Sequence, residues 1–144
     1  LMTINKKEAF AKFGIKQKNE VWSWSGINKD AAIPISQNLK APICVLTIWN
    51  DQYDYRPGIW SIFDCNNEIW KDSNGNKARI EDIKYCLSEL NGEFKAIFIE
   101  PVKRGVYDET REIKKISIND KLWFRITRFD EETGECEAER FTLD

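Results

Sequence analysis

The sequence predicts an α+β protein: a curved, mostly antiparallel sheet or partly open barrel, with two helices at about 4–13 and 77–90 and a C-terminal β-hairpin. Three observations predict it. Apolar residues recur at helical spacing in two stretches, the lysine-rich N-terminal segment and Ile80, Ile83, Cys86, Leu87 and Leu90. Alternating or doubly apolar short runs fill much of the rest, at 21–25, 43–49, 59–63, 93–100 and 122–141. No strand–helix alternation repeats along the chain, which argues against a doubly wound parallel sheet.

Thr3 is placed to cap a first helix through Lys6, Ala9, Phe10 and Phe13, and Gly14 to end it. Ile4, Phe10 and Phe13 form its apolar stripe, with the lysines facing out. At Glu20 the period becomes two. Val21-Trp22-Ser23-Trp24-Ser25 then puts both tryptophans on one strand face and both serines on the other. Gly26–Asp30 reads as a turn, and Ala31–Ser36 as a short edge strand in which Pro34 removes a ladder donor. Ile43–Trp49 is apolar on both faces, the mark of a central strand covered on both sides.

Asn50–Gly58 is a polar loop, Ile59–Phe63 a strand, and Asp64–Asn67 a turn into Glu68–Lys71. The breaker cluster Asp72–Asn76 opens the second helix, and Asn91-Gly92 ends it. Glu93–Glu100 sets Phe94, Ala96 and Phe98 on one face and Ile97 and Ile99 on the other, and Pro101 closes it. Residues 102–110 form a charged loop. Arg111–Ile118 reads as a strand in which Ile113 falls in phase with Lys115 rather than Ile116. Leu122–Phe129 and Glu135–Phe141 flank Asp130–Gly134 as a hairpin. Centring its pairing on Glu132 sets Ile126 opposite Ala138, Arg125 opposite Glu139 and Trp123 opposite Phe141.

Length fits one domain, taken as 2–144, with Leu1 before Met2 read as a cloning remnant. No run of about 18 apolar residues is present to span a membrane, and the first 20 residues lack the apolar core of a secretory signal. A cytoplasmic location with reduced thiols is therefore expected. The four cysteines, 44, 65, 86 and 136, form no C-x-x-C pair, and Cys44 and Cys86 read as small hydrophobes.

Six tryptophans stand beside a complete absence of histidine in 144 residues. The missing histidine removes the commonest general base, nucleophile activator and metal ligand at once. No G-x-S-x-G elbow, S-x-x-K or glycine-rich phosphate loop is present. Glu93-Phe94-Lys95 has the E-x-K form of some metal-dependent nucleases, but Asp82-Ile83-Lys84 and Glu112-Ile113-Lys114 match as well, so the tripeptide does not discriminate. Asp51, Asp54 and Asp64 lie near aromatics, as in a glycoside hydrolase, yet turn formation accounts for all three. No metal or cofactor is implied.

Charge is graded along the chain although the net value is -2. Residues 1–20 carry five lysines against two glutamates, and residues 130–144 carry Arg140 against seven acids. A basic surface from the first helix or the 103–115 segment would attract phosphate or an acidic partner. Among the tryptophans, Trp49 and Trp60 are assigned to the core. Trp22 and Trp24 act as a same-face pair, and Trp70 and Trp123 are candidates for a surface. The candidate binding residues are Trp22, Trp24, Trp70, Lys71, Trp123 and Arg125.

The pattern Trp22-Ser23-Trp24-Ser25-Gly26, Trp70-Lys71-Asp72, Gly75-Asn76, Arg79-Ile80 and Phe129-Asp130 with Thr133-Gly134-Glu135 resembles small uncharacterised bacterial proteins carried on mobile elements such as phages and gene cassettes. The element order resembles PUA-like domains, whose curved mixed sheets bind RNA or flipped bases. The expected function is a non-enzymatic binding protein with an aromatic-containing surface, acting on a protein partner or associating with itself as a homodimer. The alternatives are a nucleic-acid or nucleotide-binding module and a carboxylate-dependent enzyme.

Overall fold

Ile43–Trp49 needs apolar cover on both faces, and the fold supplies it. In the computed structural model, which describes residues 4–19, 22–30, 33, 39–108 and 111–142, this segment is β2, and Ile43 to Ile48 are all buried. It pairs in parallel with β5 (Glu93–Pro101), Val45 opposite Lys95 and Trp49 opposite Ile99. Every other pairing is antiparallel.

β5 is where the sheet branches. Its first residues pair with β7 (Trp123–Phe129), and its later ones with β6 (Ile113–Ile118). From β7 the sheet continues through β8 (Cys136–Phe141) and β4 (Ile59–Ser61) to β3 (Tyr53–Asp54). At the other end β1 (Ser25–Asn28) pairs with β2. These eight strands among the described residues form a mostly antiparallel sheet that does not close into a barrel.

The alternation of β2 and β5 divides two cores. Cys44, Leu46, Ile48, Phe94 and Ala96 pack with Trp60, Phe124, Ala138 and the helix α3 (Asn74–Glu89). Ile43, Val45, Ile97 and Ile99 pack with α1 (Lys6–Lys12), Ile33, Leu39 and Ile116 on the opposite side. The first core is strongly aromatic. Trp60 is fully buried and meets Phe94 edge-on at 6.0 Å, while Phe94 stacks on Phe124 at 5.6 Å.

The helix ends follow local chemistry. The α1 cap is Asn5, whose side chain accepts from Glu8 N–H at 2.8 Å, rather than Thr3, which lies outside the described residues. Gly14, at φ 74, ends α1 as expected. Ser73 caps α3, so Gly75 and Asn76 lie inside the first turn instead of before it. A short third helix, α2 (Asn67–Trp70), follows the 64–67 turn, beyond the two helices expected. Among the described residues no helix is long and apolar enough to cross a membrane.

The C-terminal hairpin has the anticipated register away from its turn, where Ile126 faces Ala138, Arg125 faces Glu139 and Trp123 faces Phe141; between Ile126 and Arg128 it shifts by one residue, so that Arg128 faces Glu137 and Phe129 faces Cys136. A register shift at Glu100/Pro101 sets Pro101 against Ile113, which is the phase break seen in the 111–118 pattern.

Other expectations change. Of the expected 21–25 strand, Val21 lies outside the described residues, and Trp22, Ser23 and Trp24 are not in a strand. Ser23 Oγ accepts from Asn19 N–H at 2.9 Å and Asn19 Oδ1 accepts from Trp22 N–H at 3.2 Å, so side chains hold a turn where a ladder was expected. The strand instead starts at Ser25 and runs through Gly26 to Asn28, where a turn was expected. The expected 31–36 edge strand lies outside the described residues except Ile33, which is buried and not in a strand. Lys6 also departs from the outward-facing set: it is 8% exposed and lies over the Trp24 ring.

Candidate functional site

The C-terminal end of β2, the first turn of α3 and the connection between β5 and β6 enclose a pocket of about 450 Å³. Trp24 enters just before β1, Trp49 ends β2, and Trp70 ends α2. Asn76 and Arg79 come from α3; Tyr107, Asp108 and Arg111 come from the β5–β6 connection. The walls are therefore brought together from segments far apart in sequence.

Each pocket tryptophan carries a cation on a ring face. Lys6 Nζ lies 3.7 Å from the Trp24 ring centre. Arg111 Cζ lies 4.3 Å from that of Trp49 and 4.8 Å from that of Tyr107. Arg79 Cζ lies 5.1 Å from that of Trp70. Trp24 and Trp49 tilt against each other at 6.0 Å. A face already occupied by a cation repels a second one, so this arrangement disfavours a positively charged guest.

The two arginines differ in how they are held. Arg111 is ion-paired with Asp51, and their side chains are 9% and 4% exposed. Asp51 Oδ2 also accepts from Gly105 N–H at 2.8 Å. Arg111 Nε and Nη1 are buried with no hydrogen-bond partner among the described residues. Arg79 donates from Nη2 to Asn76 Oδ1 at 2.7 Å, its Nε has no described partner, and no described carboxylate lies within ion-pair distance. Burial pushes its guanidinium down to about 10, which leaves it charged at neutral pH. Buried donors without acceptors are costly, and an acceptor-bearing ligand would satisfy them.

Asn76 and Gly75 fix the pocket's floor. Asn76 Nδ2 donates to the carbonyls of Lys71 at 2.8 Å and Thr133 at 2.7 Å, tying α3 to the hairpin turn. A Cβ on Gly75 would strike the Trp22 carbonyl and lie 2.7 Å from Trp24 Cδ1, so glycine there lets the tryptophan segment approach. Cys65 and Tyr107 are adjacent in the wall, and burial pushes both the thiol and the phenol up. Cys65 therefore stays a thiol rather than a nucleophilic thiolate at neutral pH. Among the described residues no group of three Cys, Asp or Glu comes together as a metal-ligand set.

The pocket gathers two of the six residues singled out from sequence, Trp24 and Trp70. Trp22 contributes its backbone behind Gly75 and its side chain is not part of the lining. The Lys71 ammonium turns away to Glu68 at 3.1 Å. Trp123 and Arg125 lie elsewhere, on β7. Trp123 is half-buried beneath Lys95 Nζ at 4.5 Å, and Arg125 pairs with Glu93 at 2.9 Å over the Phe141 ring. Trp49, expected in the core, is half-buried and forms pocket wall, whereas Trp60 is core throughout. The sequence reading missed Arg79, Asn76 and Tyr107. Arg111 lay within a segment marked as basic, but nothing local tied it to Trp49. Protein-family models, curated proteins and solved structures give no match to this chain.

Proposed function

We propose that this chain is a non-enzymatic binding module whose ligand is a nucleobase or nucleotide seated among Trp24, Trp49 and Trp70. The observation that carries the reading is the combination of flat aromatic walls with two half-buried arginines, each holding buried N–H groups without a described partner, in one pocket of about 450 Å³. Aromatic faces take a flat π-system, and arginine N–H groups take ring nitrogens, carbonyls or phosphate oxygens. The volume is within the range of small-molecule sites. The cations on the rings favour a neutral or anionic guest over an ammonium. Among the described residues Asp108 is the one carboxylate in the lining, and Cys65 and Tyr107 hold their protons, so the described groups suit recognition better than acid–base work.

Titration of intrinsic tryptophan fluorescence with AMP, GMP, CMP and UMP tests this reading. At least one nucleotide is expected to give saturable quenching. Trp70→Leu and Arg79→Met are each expected to weaken that binding by about tenfold or more, since base stacking contributes about 1–3 kcal/mol per base. Absence of saturable quenching at millimolar nucleotide overturns it.

A further inference from the structure

The helix α3 meets the pocket with its N-terminal end. Its cap Ser73, the first-turn residues Gly75 and Asn76, and Arg79 one turn further on all line the pocket. The first N–H groups of a helix have no acceptor within it. Here the Ser73 hydroxyl takes that of Asn76 at 3.1 Å, which leaves those of Asn74 and Gly75 without an acceptor inside α3. No acidic residue stands in the first turn to offset the helix dipole, and Asp72, before the cap, is exposed and outside the lining.

Arg79 adds a full charge to that end. Its Nη2 donates to the neutral Asn76 amide, and its buried Nε has no described partner. Stacking on Trp70 engages the face of the guanidinium and leaves its N–H edges in plane. Arg111 in the same pocket is a different case: its side chain is 9% exposed, and Asp51 neutralises it. Asp108, the one carboxylate among the described lining residues, is exposed and is ion-paired with neither arginine. Among the described lining residues, Arg79 is therefore the cation without a counter-charge, and it sits at the positive end of a 16-residue helix.

We propose that the N-terminal turn of α3 and Arg79 form a phosphate subsite, so that the pocket selects a nucleoside monophosphate over the corresponding nucleoside. The proposal rests on the nucleobase reading of the pocket. A phosphate suits this end because its oxygens accept from backbone N–H groups and a guanidinium at once. Its charge also supplies the counter-ion that Arg79 lacks.

The test titrates tryptophan fluorescence with each nucleoside monophosphate and with its nucleoside, and repeats the nucleotide titration in the presence of inorganic phosphate. The best nucleotide is expected to bind at least about tenfold more tightly than its nucleoside, the scale of charge-assisted hydrogen bonds gained by the phosphate. Inorganic phosphate is expected to weaken nucleotide binding and to leave nucleoside binding as it was. Arg79→Met is expected to remove the increment, so that nucleotide and nucleoside bind alike. Asn74→Asp, at an exposed first-turn position where an acid favours the helix, is expected to narrow the increment about threefold without loss of stability. A nucleoside that binds as tightly as its nucleotide overturns the subsite and leaves the base reading standing. So does a wild-type increment in Arg79→Met. Competition by phosphate at a nucleotide site that no nucleoside enters, lost in Arg79→Met, supports the subsite and overturns the base reading. Absence of quenching by every nucleoside and nucleotide overturns both.

Discussion

Asp51→Ala is expected to lower the stability of the fold by about 3–5 kcal/mol in a urea titration, the scale of breaking a buried ion pair from one side. With Asp51 gone, the Arg111 guanidinium stays enclosed between Trp49 and Tyr107 with no counter-charge. Gly105 N–H loses its acceptor at the same time. The double variant Asp51→Ala/Arg111→Met removes both charges together and is expected to recover most of that stability, because no buried ion is left uncompensated. It should still bind nucleotide poorly, since the donors of Arg111 are gone. A loss below about 1 kcal/mol for the single variant would place the pair on the solvent-screened scale and contradict its assigned burial.

Asn76→Ala is expected to cost about 2–4 kcal/mol, because more than one buried group loses its partner. The carbonyls of Lys71 and Thr133 lose their donor, and Arg79 loses its acceptor. The fit is tight: Gly134, at φ 85, sits where a Cβ would collide with the Asn76 amide. Asn76→Asp separates hydrogen bonding from volume. It keeps the shape but turns an oxygen toward two carbonyls, and is expected to be at least as destabilising as alanine, although the new charge faces Arg79. An Asn76→Asp protein as stable as the wild type would contradict this network.

What could be read from sequence was whatever local periodicity decides. The two-faced runs 43–49 and 93–100 became β2 and β5 with their alternation intact, because side-chain direction in a strand follows from period two alone. The hairpin register away from its turn followed from which face had to be buried. The misreading at 21–25 came from short polar side chains. Asn19 and Ser23 bond the backbone nearby, and that local bonding prevailed over the alternation of two tryptophans.

The pocket was legible in part, through Trp24 and Trp70. Its arginines were not, because their meaning depends on contacts across long separations. Arg111 reaches Asp51 over sixty positions and Asn76 reaches Thr133 over fifty-seven. No spacing rule connects residues that only the packing of helices, strands and loops in the fold brings together.

The six tryptophan indole N–H signals in a ¹H–¹⁵N spectrum give the most direct measurement of where a ligand sits. On titration with the best-quenching nucleotide, the indole signals of Trp24, Trp49 and Trp70 are expected to shift together and saturate at one Kd, while those of Trp60 in the core and Trp123 on β7 stay in place. Shifts at Trp123 with the pocket signals unmoved, or no shift at any indole, would contradict the assignment of the pocket as the binding site.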